Sequence, residues 1–106
     1  MKADKKLLAE IKKRVLQTAP DAKVILYGSY ARGDANEESA IDLLLLVERD
    51  VLSCQDKVTI TRPLYNLEVE TGQLISPLVK SNHIWKDKYY YTPLYVTIQK
   101  EGVEEI

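Results

Sequence analysis

The chain has 106 residues, of which 45% are hydrophobic and 29% charged, and a formal net charge of −1. This is the balance of one soluble domain with a single core, and it leaves no room for a second domain with its own site. A charge so near zero excludes any global attraction for a polyanion, so nucleic acid is not expected as a direct partner and phosphate chemistry must rest on local groups. Cys54 stands alone, which excludes an internal disulfide and a thiolate zinc cluster.

From Asp4 to Thr18, the residues Leu7, Leu8, Ile11, Val15 and Leu16 recur at helical spacing among lysines and arginines, predicting a first helix with one buried stripe. Pro20-Asp21 breaks it. Lys23-Val24-Ile25-Leu26-Tyr27 is a short strand ending abruptly at Gly28-Ser29. Ile41 to Val47 is apolar on both faces apart from Asp42, the pattern of a central strand covered on both sides. Ser53 to Thr71 reads as a helix through Ile60, Leu64 and Leu67, with Pro63 expected to kink it or mark its first turn and Gly72 to end it. A third strand follows over 73–80, where Pro77 argues for a sheet edge. Ser81 to Tyr91 is mixed, aromatic and basic, without a clear period. Thr92-Pro93 then starts a closing helix carrying Leu94, Tyr95 and Ile98, and Gly102 stops it. The fold class expected from this order is α+β, a small mixed β-sheet with helices packed against it, forming a single domain over 1–106.

The longest apolar run, Leu43 to Val47, has strand length and falls far short of the roughly 20 residues that span a bilayer, so no membrane association is expected. The charged start Met1-Lys2-Ala3-Asp4-Lys5-Lys6 lacks the apolar stretch of a signal peptide, and a cytoplasmic location is expected.

The chemistry concentrates between residues 28 and 47. A Gly28-Ser29 pair where a strand gives way to a helix presents backbone N–H groups and a hydroxyl to an anion. Arg32 adds a guanidinium fork suited to phosphate oxygens. Asp42 is a carboxylate inside an apolar strand, costly to bury unless it is paired or bound to a metal, and its place beside a phosphate turn suits a Mg²⁺ ligand.

Gly28-Ser29-Tyr30-Ala31-Arg32-Gly33, followed by Ser39-Ala40-Ile41-Asp42-Leu43, resembles the signature of the minimal nucleotidyltransferases, small members of the DNA polymerase beta-like superfamily. The family pattern is Gly-Ser, Ala-Arg-Gly, then Ser-Asp-x-Asp-Leu. Thr92-Pro93-Leu94-Tyr95 and Glu101-Gly102-Val103 are similar to the closing helix of bacterial members. The resemblance implies transfer of a nucleoside monophosphate from ATP or another triphosphate to an acceptor hydroxyl. Gly28, Ser29 and Arg32 would hold the triphosphate, and Asp42 with a partner carboxylate would bind Mg²⁺. Many such proteins act as the antitoxin of a HEPN-domain ribonuclease, which makes that partner, or a homo-oligomer, an expectation here.

The chain departs from the pattern at Ala40, which stands where the family has its first metal carboxylate. Strand residues 40 and 42 project to the same side, and Ala40 has no ligand atom. Glu37 and Glu38 lie in a loop and read as solvated, while Leu74-Ile75-Ser76-Pro77, where a third carboxylate is expected, contains no acid; Glu70, just upstream, is the candidate third ligand. The alternative to an active transferase is therefore a nucleotide-binding or partner-docking module of the same fold.

Three other features read as structural. Trp85, Lys86, Lys88 and Tyr89-Tyr90-Tyr91 suggest rings packed on the sheet with lysines in water, His83 suggests a surface group, and Glu101, Glu104 and Glu105 suggest a solvated acidic end.

Overall fold

A computed structural model describes residues 4–103. Asp4 caps the first helix, its carboxylate accepting from the Lys6 N–H at 2.9 Å, and α1 runs Lys5–Thr18 with Leu8, Ile11 and Val15 buried. Strand β1 (Lys23–Tyr27) leads through a short helix α2 (Ser29–Arg32) to strand β2 (Ile41–Val47). Helix α3 (Cys54–Thr71) opens on a reciprocal cap in which the Ser53 hydroxyl accepts from the Asp56 N–H and the Asp56 carboxylate from the Ser53 N–H. It closes at Gly72, in the left-handed region. Strand β3 (Ile75–Ser81), helix α4 (Asn82–Lys88) and helix α5 (Pro93–Glu101) follow.

The sheet has the order β1-β2-β3, with β2 antiparallel to β1 and parallel to β3. A parallel neighbour requires a crossover, and α3 supplies it. The alternation of β2 divides the interior into two layers. Ile41, Leu43, Leu45 and Val47 join the main core with Leu8, Ile11 and Val15 of α1 and Ile60, Leu64 and Leu67 of α3. Leu44 and Leu46 face the other way, onto Trp85 and Ile98. That two-sided burial, about 1.5–3 kcal/mol for each large apolar side chain, is why β2 reads as a continuous apolar run. The result is a small mixed α+β fold.

Pro77 lies on β3, an edge strand that among the described residues is hydrogen-bonded within the sheet only to β2. The outer edge of β1 is met by Val103, which exchanges two backbone hydrogen bonds of 2.8 Å with Leu26.

The structure departs from or refines the sequence reading in several places. Helix α4 lies within the stretch that showed no period, because it is short and follows β3 without any turn residue, Ser81 being both the last residue of the strand and the N-cap. Of the two positions the sequence left open for Pro63, the helix interior and the first turn, it takes the interior of α3, and its carbonyl accepts from Arg14 Nη1 at 3.0 Å. β3 begins at Ile75, two residues later than the apolar pattern suggests. Glu101 is not a solvated end but the last residue of α5, its side chain 20% exposed. Met1-Lys2-Ala3, Glu104 and Glu105 lie outside the described residues. Among the described residues, no helix is long and apolar enough to cross a membrane.

Candidate active site

The site forms where β1 ends beside the start of β2. The register pairs Tyr27 with Asp42, and Asp42 with Ser76 on the other side. Side chains opposite each other in neighbouring strands share a face, so Asp42 sits between a phenol and a hydroxyl. It is half-buried, on the face that further along β2 carries Leu44 and Leu46. Burial raises the pKa of its carboxyl above the ordinary value, and the Arg32 guanidinium opposes that rise. Burial also raises the Tyr27 phenol, with the negative charge of Asp42 adding to the effect.

Gly28 permits this proximity. Its backbone has φ 77° and ψ −155°, a region open essentially only to glycine. A Cβ at position 28 would collide with Oδ2 of Asp42, so the turn passes directly against the carboxylate. Ser29, one residue on, opens α2.

Arg32 is held by two acids. Its Nε donates to Asp34 Oδ2 at 3.1 Å, and its Nη1 to Glu101 Oε1 at 3.1 Å and Oε2 at 3.3 Å. Asp34 first and Glu101 second raise its pKa further above the ordinary guanidinium value. The Gly28 N–H donates to the same Glu101 Oε1, at 3.1 Å. The turn expected to hold phosphate is thus met by a carboxylate from the far end of the chain. The sequence reading missed this role for Glu101. The available signal was a carboxylate in the last turn of a helix, where the negative end of the macrodipole disfavours it.

Ala40 immediately precedes β2 and is half-buried. Its neighbourhood is pinned by Gln73, whose Nε2 donates to the Ser39 carbonyl at 3.1 Å and whose Oε1 accepts from the Tyr30 hydroxyl at 3.1 Å. Glu37 and Glu38 are exposed in the preceding turn. Glu70 is engaged at the α1–α3 contact, where its Oε2 accepts from Arg14 Nη1 at 2.7 Å, and that bond is the main cause of its lowered pKa. Glu68 caps the start of β3, accepting from the Ile75 N–H at 2.7 Å.

These placements test the fit of a Mg²⁺ site. Position 40, two residues before Asp42, carries only a methyl group and lies just outside β2 rather than on the strand as the sequence suggests, and the next strand offers a hydroxyl at Ser76. Among the described residues, no group of three or more His, Cys, Asp or Glu gathers in a way that could hold a metal ion. The residues present do not fit the pair of ions, about 3.5–4 Å apart, that stabilise attacking and leaving oxygens in phosphoryl transfer.

The aromatic stretch is largely structural. Trp85 is 2% exposed and packs against Tyr89 and Tyr95 with ring centroids 5.8 and 5.2 Å away. Lys80 Nζ lies 4.8 Å from the Tyr89 centroid, while Tyr90, Tyr91, Lys86 and Lys88 are exposed. His83 is exposed and pairs with Asp87 one helical turn on. A cavity of about 240 Å³ lies at the other end of the sheet, between Lys23, Leu46, Asn82, Trp85, Tyr95 and Ile98.

The family profile described as "Nucleotidyltransferase domain" matches residues 8–100, and the chain belongs to that family. "Putative protein adenylyltransferase MJ0141" of Methanocaldococcus jannaschii is 40% identical over 76 residues, covering 69% of this chain and 75% of the relative. "Putative protein adenylyltransferase MJ0604" of the same organism is 38% identical over 66 residues, covering 62% of this chain and 60% of the relative.

Proposed function

We propose that this chain receives the triphosphate of ATP at Gly28, Ser29 and Arg32, and that transfer of AMP to a protein hydroxyl is suppressed by the missing metal carboxylates. The observation that carries the proposal is Ala40, two residues before Asp42 and without a ligand atom, while Ser76 occupies the neighbouring register position. The names of the two relatives support adenylate as the transferred group and a protein as the acceptor. A HEPN-domain toxin is the acceptor that the resemblance to minimal nucleotidyltransferases brings forward.

In such a transfer the acceptor oxygen bonds to the α-phosphorus as the bond to the leaving pyrophosphate breaks, and the hydroxyl proton passes to a base. Binding asks only for donors at the phosphates, which Gly28, Ser29 and Arg32 supply. Transfer asks for cations facing the charge that develops in the transition state, and a lone Asp42 does not hold them. Loss of the carboxylates therefore affects transfer more than binding.

A second reading, a docking module that binds no nucleotide, is favoured by the engagement of both Gly28 N–H and Arg32 with Glu101. Calorimetry with ATP, with and without Mg²⁺, separates the two. Binding that is lost in Arg32→Ala supports the nucleotide site, and absence of binding in both states supports the docking module.

A further inference from the structure

We infer that Glu101 is a resident anion on the phosphate turn, a latch that an incoming triphosphate must displace. The inference rests on the proposed triphosphate site at Gly28 and Arg32. Two of the groups that would read phosphate oxygens, the Gly28 N–H and Arg32 Nη1, converge at 3.1 Å each on one oxygen, Oε1 of Glu101. Oε2 stands 3.3 Å from the same Nη1, so the carboxylate presents both oxygens to the guanidinium. Carboxylate and phosphate oxygens compete for the same donors at the same distances.

The position of Glu101 argues that this contact, rather than helix formation, holds it there. It is the last residue of α5, where partial negative charge from unpaired carbonyls repels a carboxylate. Its side chain is only 20% exposed against 47% for Arg32, so the carboxylate lies inward of the guanidinium. Two residues on, Val103 is tied to Leu26 of β1 by two 2.8 Å backbone bonds. The chain is thus anchored on the strand that ends at the turn, and release of Glu101 needs only rotation of its side chain with that anchor intact.

Charge sharpens the argument. Arg32 is bonded to Asp34 and Glu101 and interacts electrostatically with Asp42, so one cation faces three carboxylates. A metal-free triphosphate therefore meets net negative charge there, and displacing Glu101 removes one of the three opposing charges.

The test uses the full chain, with inorganic tripolyphosphate and ATP as probes in metal-free calorimetry. Glu101→Gln keeps an acceptor for Gly28 and Arg32 but removes the charge, and Glu101→Ala removes the side chain. Both variants should bind the probes roughly three- to tenfold more tightly than the parent, between the size of an exposed ion pair and that of a charge-assisted hydrogen bond. Amide exchange at Gly28 gives a second readout, faster in Glu101→Ala than in the parent without ligand and slowed again by tripolyphosphate. Thermal unfolding of each variant separates displacement from loss of the fold.

If either variant remains folded and binds more weakly than the parent, Glu101 orients Arg32 rather than obstructing it, and the latch is overturned. If the parent binds, Arg32→Ala does not, and the Glu101 variants match the parent, the phosphate site stands and the latch falls. If parent and folded variants all fail to bind either probe, the phosphate site itself fails and the latch falls with it.

Discussion

The Asp42 carboxylate lies so close to the backbone of Gly28 that a Cβ at position 28 would overlap its Oδ2. The strand that carries the acid and the turn that would carry the phosphate are therefore fitted to one another through the absence of a single carbon. The backbone at Gly28, with φ 77° and ψ −155°, adds a second reason for glycine.

Gly28→Ala should accordingly destabilise the fold by about 1–3 kcal/mol through backbone strain alone, with the collision adding to it. Urea unfolding of a double-mutant cycle with Asp42→Ala separates the two contributions. Removing the carboxylate should reduce the cost of Gly28→Ala. Equal costs in both backgrounds would mean that the turn does not lie against Asp42.

Asp42 also sets a pH dependence. Its folded pKa is raised above the ordinary value of 3.8, with burial the main cause. The folded state then holds its proton more tightly than the unfolded state, so ionisation of Asp42 lowers stability as pH rises from about that value through the folded pKa. Asp42→Asn should be more stable than the parent at pH 7, and the difference should shrink toward pH 4. Chemical denaturation at the two pH values measures it, and an advantage that grew on acidification would contradict the assignment.

Much of the fold is visible in the sequence because burial and chain punctuation agree there. The two-sided run of β2, the stripe of α1, the Thr92-Pro93 start of α5 and the glycine after α3 each combine a period with a cap or stop. Helix α4 escaped because a seven-residue helix following directly on a strand shows neither. Gly28, Arg32 and Asp42 were legible as site candidates because each is locally anomalous: a glycine at a strand end, a cation beside it, an acid in an apolar strand. Glu101 was not, since its meaning comes from contacts 73 and 69 residues away in the chain. The acid-free stretch near Ser76 was visible as a composition, but only strand register shows that Ser76 is the residue beside Asp42.

Glu70 illustrates the same limit. The sequence offers it as a third metal ligand, whereas its carboxylate is bonded to Arg14 at 2.7 Å. Glu70→Gln should leave the response of ATP binding to Mg²⁺ unchanged in calorimetry. Because Arg14 lowers the Glu70 pKa below 4.5, the stabilising contact is fully present above about that pH and lost as pH falls through the folded pKa. A Mg²⁺ response abolished by Glu70→Gln would instead make Glu70 a ligand.

Asp42 lacks carboxylate partners at positions 40 and 76. The most direct measurement is Mg²⁺-dependent transfer of label from radioactive ATP to a co-expressed protein acceptor by the parent, Ala40→Asp, and Ala40→Asp combined with Ser76→Asp. The parent should transfer little or nothing. Ala40→Asp should raise the rate by about a hundredfold or more, equivalent to about 2.7 kcal/mol of barrier, and the double variant should raise it further. Robust Mg²⁺-dependent transfer by the parent, or no gain in folded variants with the acceptor present, would contradict the account.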